Sequence, residues 1–410
     1  MTVMGVIADD FTGATDIATA YAGLGYRTEV LTDAEAVPDP GADVVVIALK
    51  TRSAPVAVAV NAALAAHDRL VAVGHTRFFV KYCSTFDSTD QGNIGPVLDA
   101  LSEQTAASRC VVVPAFPDAD RTTYQGHLFV GADLLEHSSM RHHPLTPMTR
   151  SRIAEILRPQ TTGTVGEVHL ATVRCGADAI RQALDATAEQ YVVVDAVDAD
   201  DLVAIAAATA DDVLRSGGSG LAVGAGPAAG DGGGADTRAV VPPEGRRLVV
   251  CGSASARTRE QIAAAVELGS PARRLDVTRL ATDGAAVVDE TVDWIREQPA
   301  DSAPVVHSVG DLRDLSADPI APTRIEEALA AIVERAVAVG FTQFVVAGGE
   351  TSGAVVARLG IQRLTIGARI APGVCWASAV TAAGTEVAVA LKSGNFGAPD
   401  MFTTAWEAHT

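Results

Sequence analysis

The chain has 410 residues, too many for one compact core and enough for two or three domains. Hydrophobic residues at 48% and charged residues at 20% describe a globular composition and exclude a disordered chain. Thirty-one Lys and Arg stand against 50 Asp and Glu, a formal charge of −19. With no basic block, such a chain repels a polyphosphate backbone, so nucleic acid is excluded as a partner. Any anionic substrate must be held by a few placed cations.

The first six residues of chemistry-bearing sequence follow a strand signature. Val3 to Ala8 is an apolar run of strand length, Asp9 and Asp10 interrupt it, and Thr12 to Gly23 follows a helical pattern ending near Gly25. The runs Val44 to Leu49, Phe78 to Val80 and Val111 to Val113 predict further strands buried on both faces. Pro55 to Ala66 and Gly95 to Leu101 read as the helices that cross between them, and Val192 to Val194 and Leu221 to Val223 continue the theme. The alternation predicts an α/β protein with open, mostly parallel sheets flanked by helices.

From Ser216 the composition turns glycine-rich, and Gly230 to Pro243 has the character of a flexible linker. The expected organisation is residues 1–230 as one domain, 231–245 as the linker and 246–410 as the second domain. Leu248 to Val250 restarts the pattern as a strand, Ala256 to Leu268 as a helix. Val305-Val306, Phe344 to Ala347 and Val387 to Leu391 renew the strands.

No stretch approaches the roughly 20 apolar residues of a spanning helix, and the N-terminus lacks a secretory pattern, so no membrane partner is expected. Cys83, Cys110, Cys175, Cys251 and Cys375 lie far apart with no C-x-x-C pair. That fits reduced thiols and a cytoplasmic location.

In open α/β sheets ligands bind beyond the carboxyl ends of strands, which sorts the polar clusters. Asp9-Asp10-Phe11-Thr12-Gly13 follows the first strand; its carboxylates suit a substrate hydroxyl or a magnesium ion, or Asp10 or Thr12 merely caps the helix. Lys50 to Ser53 and Lys81 to Thr89 each place a cation and hydroxyls at a strand end, which favours a carboxylate ligand. Arg141-His142-His143 reads as substrate contact or loop structure; adjacent histidines rarely share one metal ion, and no zinc spacing completes them. Three glycine turns also follow strands: Gly252 to Ser255, Gly348 to Gly353 ahead of a helix from about Ala354, and Lys392 to Gly397. Glycine lets backbone N–H groups approach a phosphate, though none of the three is a P-loop or a dinucleotide fingerprint.

Together these segments resemble the four-carbon acid sugar kinase family. A-D-D-F-T-G-A-T-D at Ala8 to Asp16, K-Y-C-S-T-F-D-S-T at Lys81 to Thr89 and Gly92-Asn93-Ile94-Gly95 carry the likeness in the first half. Gly348 to Gly353 and Leu391 to Gly397 carry it in the second. Tyr124-Gln125-Gly126 and Arg141 to Met148 place it nearest the members that act on 3-oxo-tetronates. The sequence departs from the family at Ala119-Asp120, where an Asn-Gly-like turn is expected.

The resemblance implies a sugar-acid-binding domain, a nucleotide-binding domain, an active site in the interdomain cleft, and ATP-dependent phosphorylation of a C4 hydroxyl with Mg2+. It implies Asp10 or Asp9 as the catalytic carboxylate, and Arg52, Lys81, Ser84, Thr85, Asp87, Arg141 and His142 as substrate contacts. Ser253, Ser255, Gly348, Gly349, Glu350, Thr351, Ser352 and Gly394 would hold the nucleotide. A small sugar acid is the expected partner, and self-association into a homo-oligomer is compatible with the reading. D-Threonate or D-erythronate kinase activity, a non-catalytic sugar-acid sensor and a nicotinamide dehydrogenase are the alternatives, the last weakened by the missing fingerprint.

Overall fold

A computed structural model describes residues 4–32, 36–39, 41–143, 146–226, 242–311, 318 and 320–407. The chain separates into two compact units, residues 1–235 and 236–410. Residues 231–241 of the expected linker lie outside the described residues, as do Pro144 and Leu145.

The first unit opens with β1 (Met4–Ala8), β2 (Thr28–Leu31), β3 (Val44–Ala48), β4 (Phe78–Lys81) and β5 (Cys110–Val113). Then come β6 (Arg121–Tyr124), β7 (His127–Val130) and β8 (Asp133–Leu134), followed by β9 (Val165–Val168), β10 (Tyr191–Val194) and β11 (Leu214–Gly217). Its main sheet runs β2-β3-β1-β4-β11-β5-β10-β9, with every pairing parallel. Every residue of β1, β3, β4, β5 and β10 is buried, as continuous apolar strands require when helices cover both faces. The helices Phe11–Gly23, Val56–Ala72 and Ile94–Thr105 supply much of that cover.

Register decides where the chemistry falls. Ala8 pairs with Ala48 and with Lys81, and Lys81 pairs with Gly217. Four strands therefore end at one level, and Asp9, the Leu49–Arg52 segment and the Lys81 loop leave the sheet side by side.

One expectation for this unit changes. Leu221-Ala222-Val223 belongs to a short helix, Gly220–Val223, and the strand lies earlier, at Leu214–Gly217. Three apolar residues fit either element, while the true strand hides behind polar residues. Buried Arg215 interrupts its apolar pattern, and the Ser216 hydroxyl donates to the Val111 carbonyl at 2.8 Å. The neighbouring glycines are packing residues. A Cβ on Gly217, Gly218 or Gly220 would fall 2.3, 2.6 or 2.3 Å from the carbonyl oxygens of Val113, Pro114 and Ala115.

The antiparallel β6-β7-β8 sheet was not anticipated, because its strands are short and largely polar. The Tyr124-Gln125-Gly126 turn joins β6 to β7, and buried Asp195 accepts from the Gln125 and Gly126 amides at 2.7 and 2.9 Å. Asp120 takes a left-handed φ of 58°, a conformation Asp tolerates almost as Asn does, so the departure at Ala119-Asp120 keeps a tight turn.

The second unit contains β12 (Arg246–Cys251), β13 (Ala272–Arg274), β14 (Val305–His307), β15 (Phe341–Ala347), β16 (Arg363–Ala371), β17 (Val374–Val380) and β18 (Glu386–Lys392). Its strand order is β13-β14-β12-β15-β18-β17-β16, parallel as far as β18 and antiparallel beyond. Cys251 pairs with Ala347 and Ala347 with Lys392, so the three glycine turns also leave their strands at one level. The helix after β15 begins at Gly349, not near Ala354. Glu350, Thr351 and Ser352 therefore lie in its first turn, and the Ser352 amide donates to the Gly348 carbonyl at 2.8 Å.

Among the described residues no helix is long and apolar enough to cross a membrane. All five cysteines are free thiols.

Candidate active site

A pocket lies at the carboxyl ends of β1, β3 and β4. Asp9, Thr51, Arg52, Lys81, Asp87, Ser88 and Asn93 line its polar side, and Ile7, Leu49, Val80, Ile94 and Val97 its apolar side.

Arg52 organises the acidic residues. Its Nε and Nη2 donate to the two carboxylate oxygens of Asp9 at 2.8 Å each, and Nη2 lies 2.9 Å from Asp10 Oδ1. Nη1 faces Asp87 Oδ2 at 4.0 Å. The segment carrying Arg52 is itself fixed: Asn93 Nδ2 donates to the Thr51 and Ala54 carbonyls at 2.7 and 2.8 Å. Asp10 caps the Phe11–Gly23 helix, accepting from the Gly13 amide and the Thr12 hydroxyl at 2.8 Å each. The capping reading of Asp10 thus holds, and the same carboxylate also reaches Arg52.

The adjacent acids titrate in opposite directions. Burial raises the Asp9 pKa above its ordinary value, although Arg52 pulls the other way. Burial also acts on Asp10, but Arg52, Lys81 and the two capping hydrogen bonds outweigh it and hold Asp10 below. Burial opposes the charge on Arg52, and the two aspartates more than offset it, so the guanidinium stays charged.

Lys81 is buried, donates to the Tyr82 carbonyl at 2.9 Å and lies 4.0 Å from Asp16 Oδ2. Asp16 in turn accepts from Ser219 at 2.5 Å. The loop beyond Lys81 turns at Phe86, a buried residue held at φ 51° by edge-to-face packing on Tyr82, ring centroids 5.1 Å apart. A bulky residue with positive φ costs about 1–3 kcal/mol and persists only where packing over-determines it. The turn brings Thr85 to donate to Asp87 at 2.5 Å; Ser84 is buried in the same loop. Cys83 approaches Thr85 at 2.9 Å, and burial pushes its thiol up to about 12, which makes it a poor nucleophile.

The structure therefore gathers Asp9, Asp10, Arg52, Lys81, Thr85 and Asp87. Arg141 and His142 lie elsewhere in this unit, exposed on the short turn Ser139–His142, where Arg141 donates to the Glu136 carbonyl at 3.1 Å. Asp16, Ser219 and Asn93 support the site without having been singled out. The only signal for them is their position inside long motifs or, for Ser219, none.

In the second unit a cavity of about 820 Å³ opens at the ends of β12 and β15. Gly252, Ser253, Ala254 and Gly348 to Thr351 line one wall, and Val277, Val309, Ala321, Pro322 and Ile325 form an apolar one. An apolar wall beside glycine turns and a helix N-terminus suits a base and its phosphates. The turns interlock: the Gly252 and Ser253 amides donate to the Ala347 carbonyl at 3.0 and 3.2 Å, and the Gly348 amide to the Lys392 carbonyl at 2.9 Å. Ser255 Oγ donates to the Gly394 carbonyl at 2.6 Å, joining the third turn. Ser352 is fully buried in the helix's first turn. Glu350 and Glu326 are the acids lining this cavity.

A half-buried acid pair held by Arg52 on one α/β unit and three interlocked glycine turns at strand ends on the other fit a two-unit small-molecule kinase. Residues 4–225 match the sugar-binding N-terminal domain and residues 248–402 the nucleotide-binding C-terminal domain. A 3-oxo-tetronate kinase of Cupriavidus necator is 43% identical, covering 98% of this chain and 96% of the relative. One from Brucella melitensis is 40% identical, covering 98% and 94%. A crystal structure from Salmonella typhimurium LT2 superposes with a TM-score of 0.87 at 38% identity, over 99% of each chain. One from Haemophilus influenzae gives 0.77 at 37%, over 99% and 100%. The chain belongs to the four-carbon acid sugar kinase family.

Proposed function

We propose that the chain transfers the γ-phosphoryl group of ATP to the C4 hydroxyl of a 3-oxo-tetronate, giving the 4-phosphate and ADP. The observation that carries this reading is the full-length likeness, near 40% identity, to curated 3-oxo-tetronate kinases. ATP and the sugar acid are the small-molecule partners, and five free thiols together with an ATP requirement support a cytoplasmic location.

Phosphoryl transfer asks the protein mainly for positioning and charge neutralisation. In this reading Lys81 and the Nη1 edge of Arg52 hold the substrate carboxylate, and Ser84, Thr85 and Asp87 orient its oxygens. Asp9 or Asp10 takes the C4 hydroxyl proton as the new C4–O–P bond forms, the bond from the γ-phosphorus to the bridging oxygen breaks, and ADP leaves. The reaction requires the attacking hydroxyl and the γ-phosphoryl group to come into line in the ternary complex.

Magnesium enters with ATP as part of the substrate. Among the described residues no group of three or more His, Cys, Asp or Glu side chains is arranged to hold a metal. The ion's usual ligands, phosphate oxygens and water with one or two carboxylates, need no such group, and Glu350 and Glu326 line the cavity.

The test is a panel of four-carbon acids with ATP and magnesium, followed by ADP release, with the phosphate located by phosphorus NMR. A 3-oxo-tetronate should give the highest kcat/KM and a C4 ester. A higher kcat/KM for D-threonate or D-erythronate, or an ester elsewhere, would overturn the assignment.

Gly348→Ala probes the second pocket. Gly348 has φ 129°, and an added Cβ would lie 2.9 Å from Thr351 Oγ1 and 3.3 Å from the Ser253 amide. The strain, about 1–3 kcal/mol, falls on the phosphate turn, so Mg–ATP affinity should drop roughly 5- to 150-fold. The KM for the acid should stay near wild type. Calorimetric titration with Mg–ATP and steady-state kinetics read the two effects separately.

A further inference from the structure

Lys392 ends β18 with a fully buried side chain. Among the described residues its ammonium hydrogen-bonds only to neutral oxygens: the Gly394 carbonyl at 3.1 Å and the Thr258 hydroxyl at 3.2 Å. It also lies 5.9 Å from the centre of the Phe402 ring. Ser255 and Thr258 donate to that same Gly394 carbonyl at 2.6 and 2.9 Å. Three donors on one oxygen is a heavy investment in a single backbone position.

That position abuts the nucleotide pocket. A Cβ on Gly394 would fall 2.3 Å from Ser253 Oγ and 2.9 Å from Ser255 Oγ, so the third turn lies hard against the first. A carbonyl oxygen left free there would repel phosphates. A buried ammonium without a counter-charge is costly, and a bound anion relieves that cost.

We propose that Lys392 is a positioning residue for the nucleotide: with Ser255 and Thr258 it pins the Gly394 carbonyl away from the phosphates, and its ammonium is the fixed counter-charge behind the turns that hold them. The inference rests on reading this unit as the ATP site.

The charged and titratable groups around Lys392 leave that charge uncompensated. From β12 comes Cys251, whose thiol burial pushes up to about 12 and so keeps neutral. From the helix Ala256–Glu267 comes Arg257, a like charge that is paired with Glu260 at 2.8 Å. Burial accordingly lowers Lys392 to about 8. A triphosphate nearby favours the protonated form, so binding takes up a proton, and affinity falls as pH rises through that value.

Calorimetry with Mg–ATP at pH 7, 8 and 9, in two buffers of different ionisation enthalpy, tests this. Wild type should take up about half a proton at pH 8 and lose roughly tenfold in affinity between pH 7 and 9. Lys392→Met should abolish the uptake and raise the KM for Mg–ATP at least about tenfold, with kcat and the acid KM within about threefold. Thr258→Val should weaken Mg–ATP binding yet keep the proton uptake, which decides the matter if the methionine variant does not fold. PH-independent binding by wild type, or wild-type affinity in Lys392→Met, would overturn the inference while leaving the kinase reading intact. Failure of wild type to bind Mg–ATP at all would overturn both.

Discussion

Asp10→Asn is expected to cut kcat by about 10²- to 10⁴-fold, the range for loss of a positioned proton acceptor. Mg–ATP affinity should stay within about twofold. Asn caps helices as well as Asp does, so the Phe11–Gly23 helix keeps its start and the loss reports chemistry, not unfolding. Asp9→Asn, made in parallel, removes one of the two bonds to Arg52, and the pH profile then separates the pair. Asp9 titrates above the ordinary carboxylate value and Asp10 below it. A base must be ionised, so activity is lost as pH falls through its pKa. An acidic limb of kcat/KM above roughly pH 4 assigns the base to Asp9, and one below assigns it to Asp10. Turnover above about a tenth of wild type in both variants would remove the pair from proton transfer.

The architecture was legible in the sequence because both units are built on continuous apolar strands. Residues 44–48 or 344–347 can hardly be anything but the middle of a covered sheet. The rule that ligands sit at carboxyl ends then led directly to Asp9, Lys81 and Gly348. What failed were elements whose stability is not written in local pattern. β11 carries Arg215 and Ser216, and only its neighbours β4 and β5 make it a strand. The glycines from 217 to 220 begin a glycine-rich stretch of sequence, yet they pack closely against carbonyls, a role composition alone does not reveal. Long-range pairings were equally silent. Asp9 and Arg52 are 43 residues apart, and the Ala8–Ala48 register is what joins them. Lys392 meets Thr258 across 134 residues, so its lack of a carboxylate could not be read from either segment.

Arg52→Met should be the most damaging single change in the first unit. The guanidinium is the shared partner of Asp9 and Asp10 and faces Asp87, in a region where its own side chain is only 24% exposed. Removing one member of such a group leaves neighbouring carboxylates facing each other with little solvent, at a cost of about 3–5 kcal/mol. Thermal unfolding should register that loss where the acids are ionised, and show less of it as they protonate in acid. Arg52→Lys keeps the charge but cannot span both oxygens of Asp9 while reaching Asp10, because a lysine is a point donor and not a fork. It should therefore recover much of the stability and little of the turnover. Such a split would mean that the guanidinium geometry, not its charge alone, sets the acid pair for catalysis. If the lysine variant instead turns over as wild type, the fork is dispensable, and Arg52 serves the site only as a counter-charge.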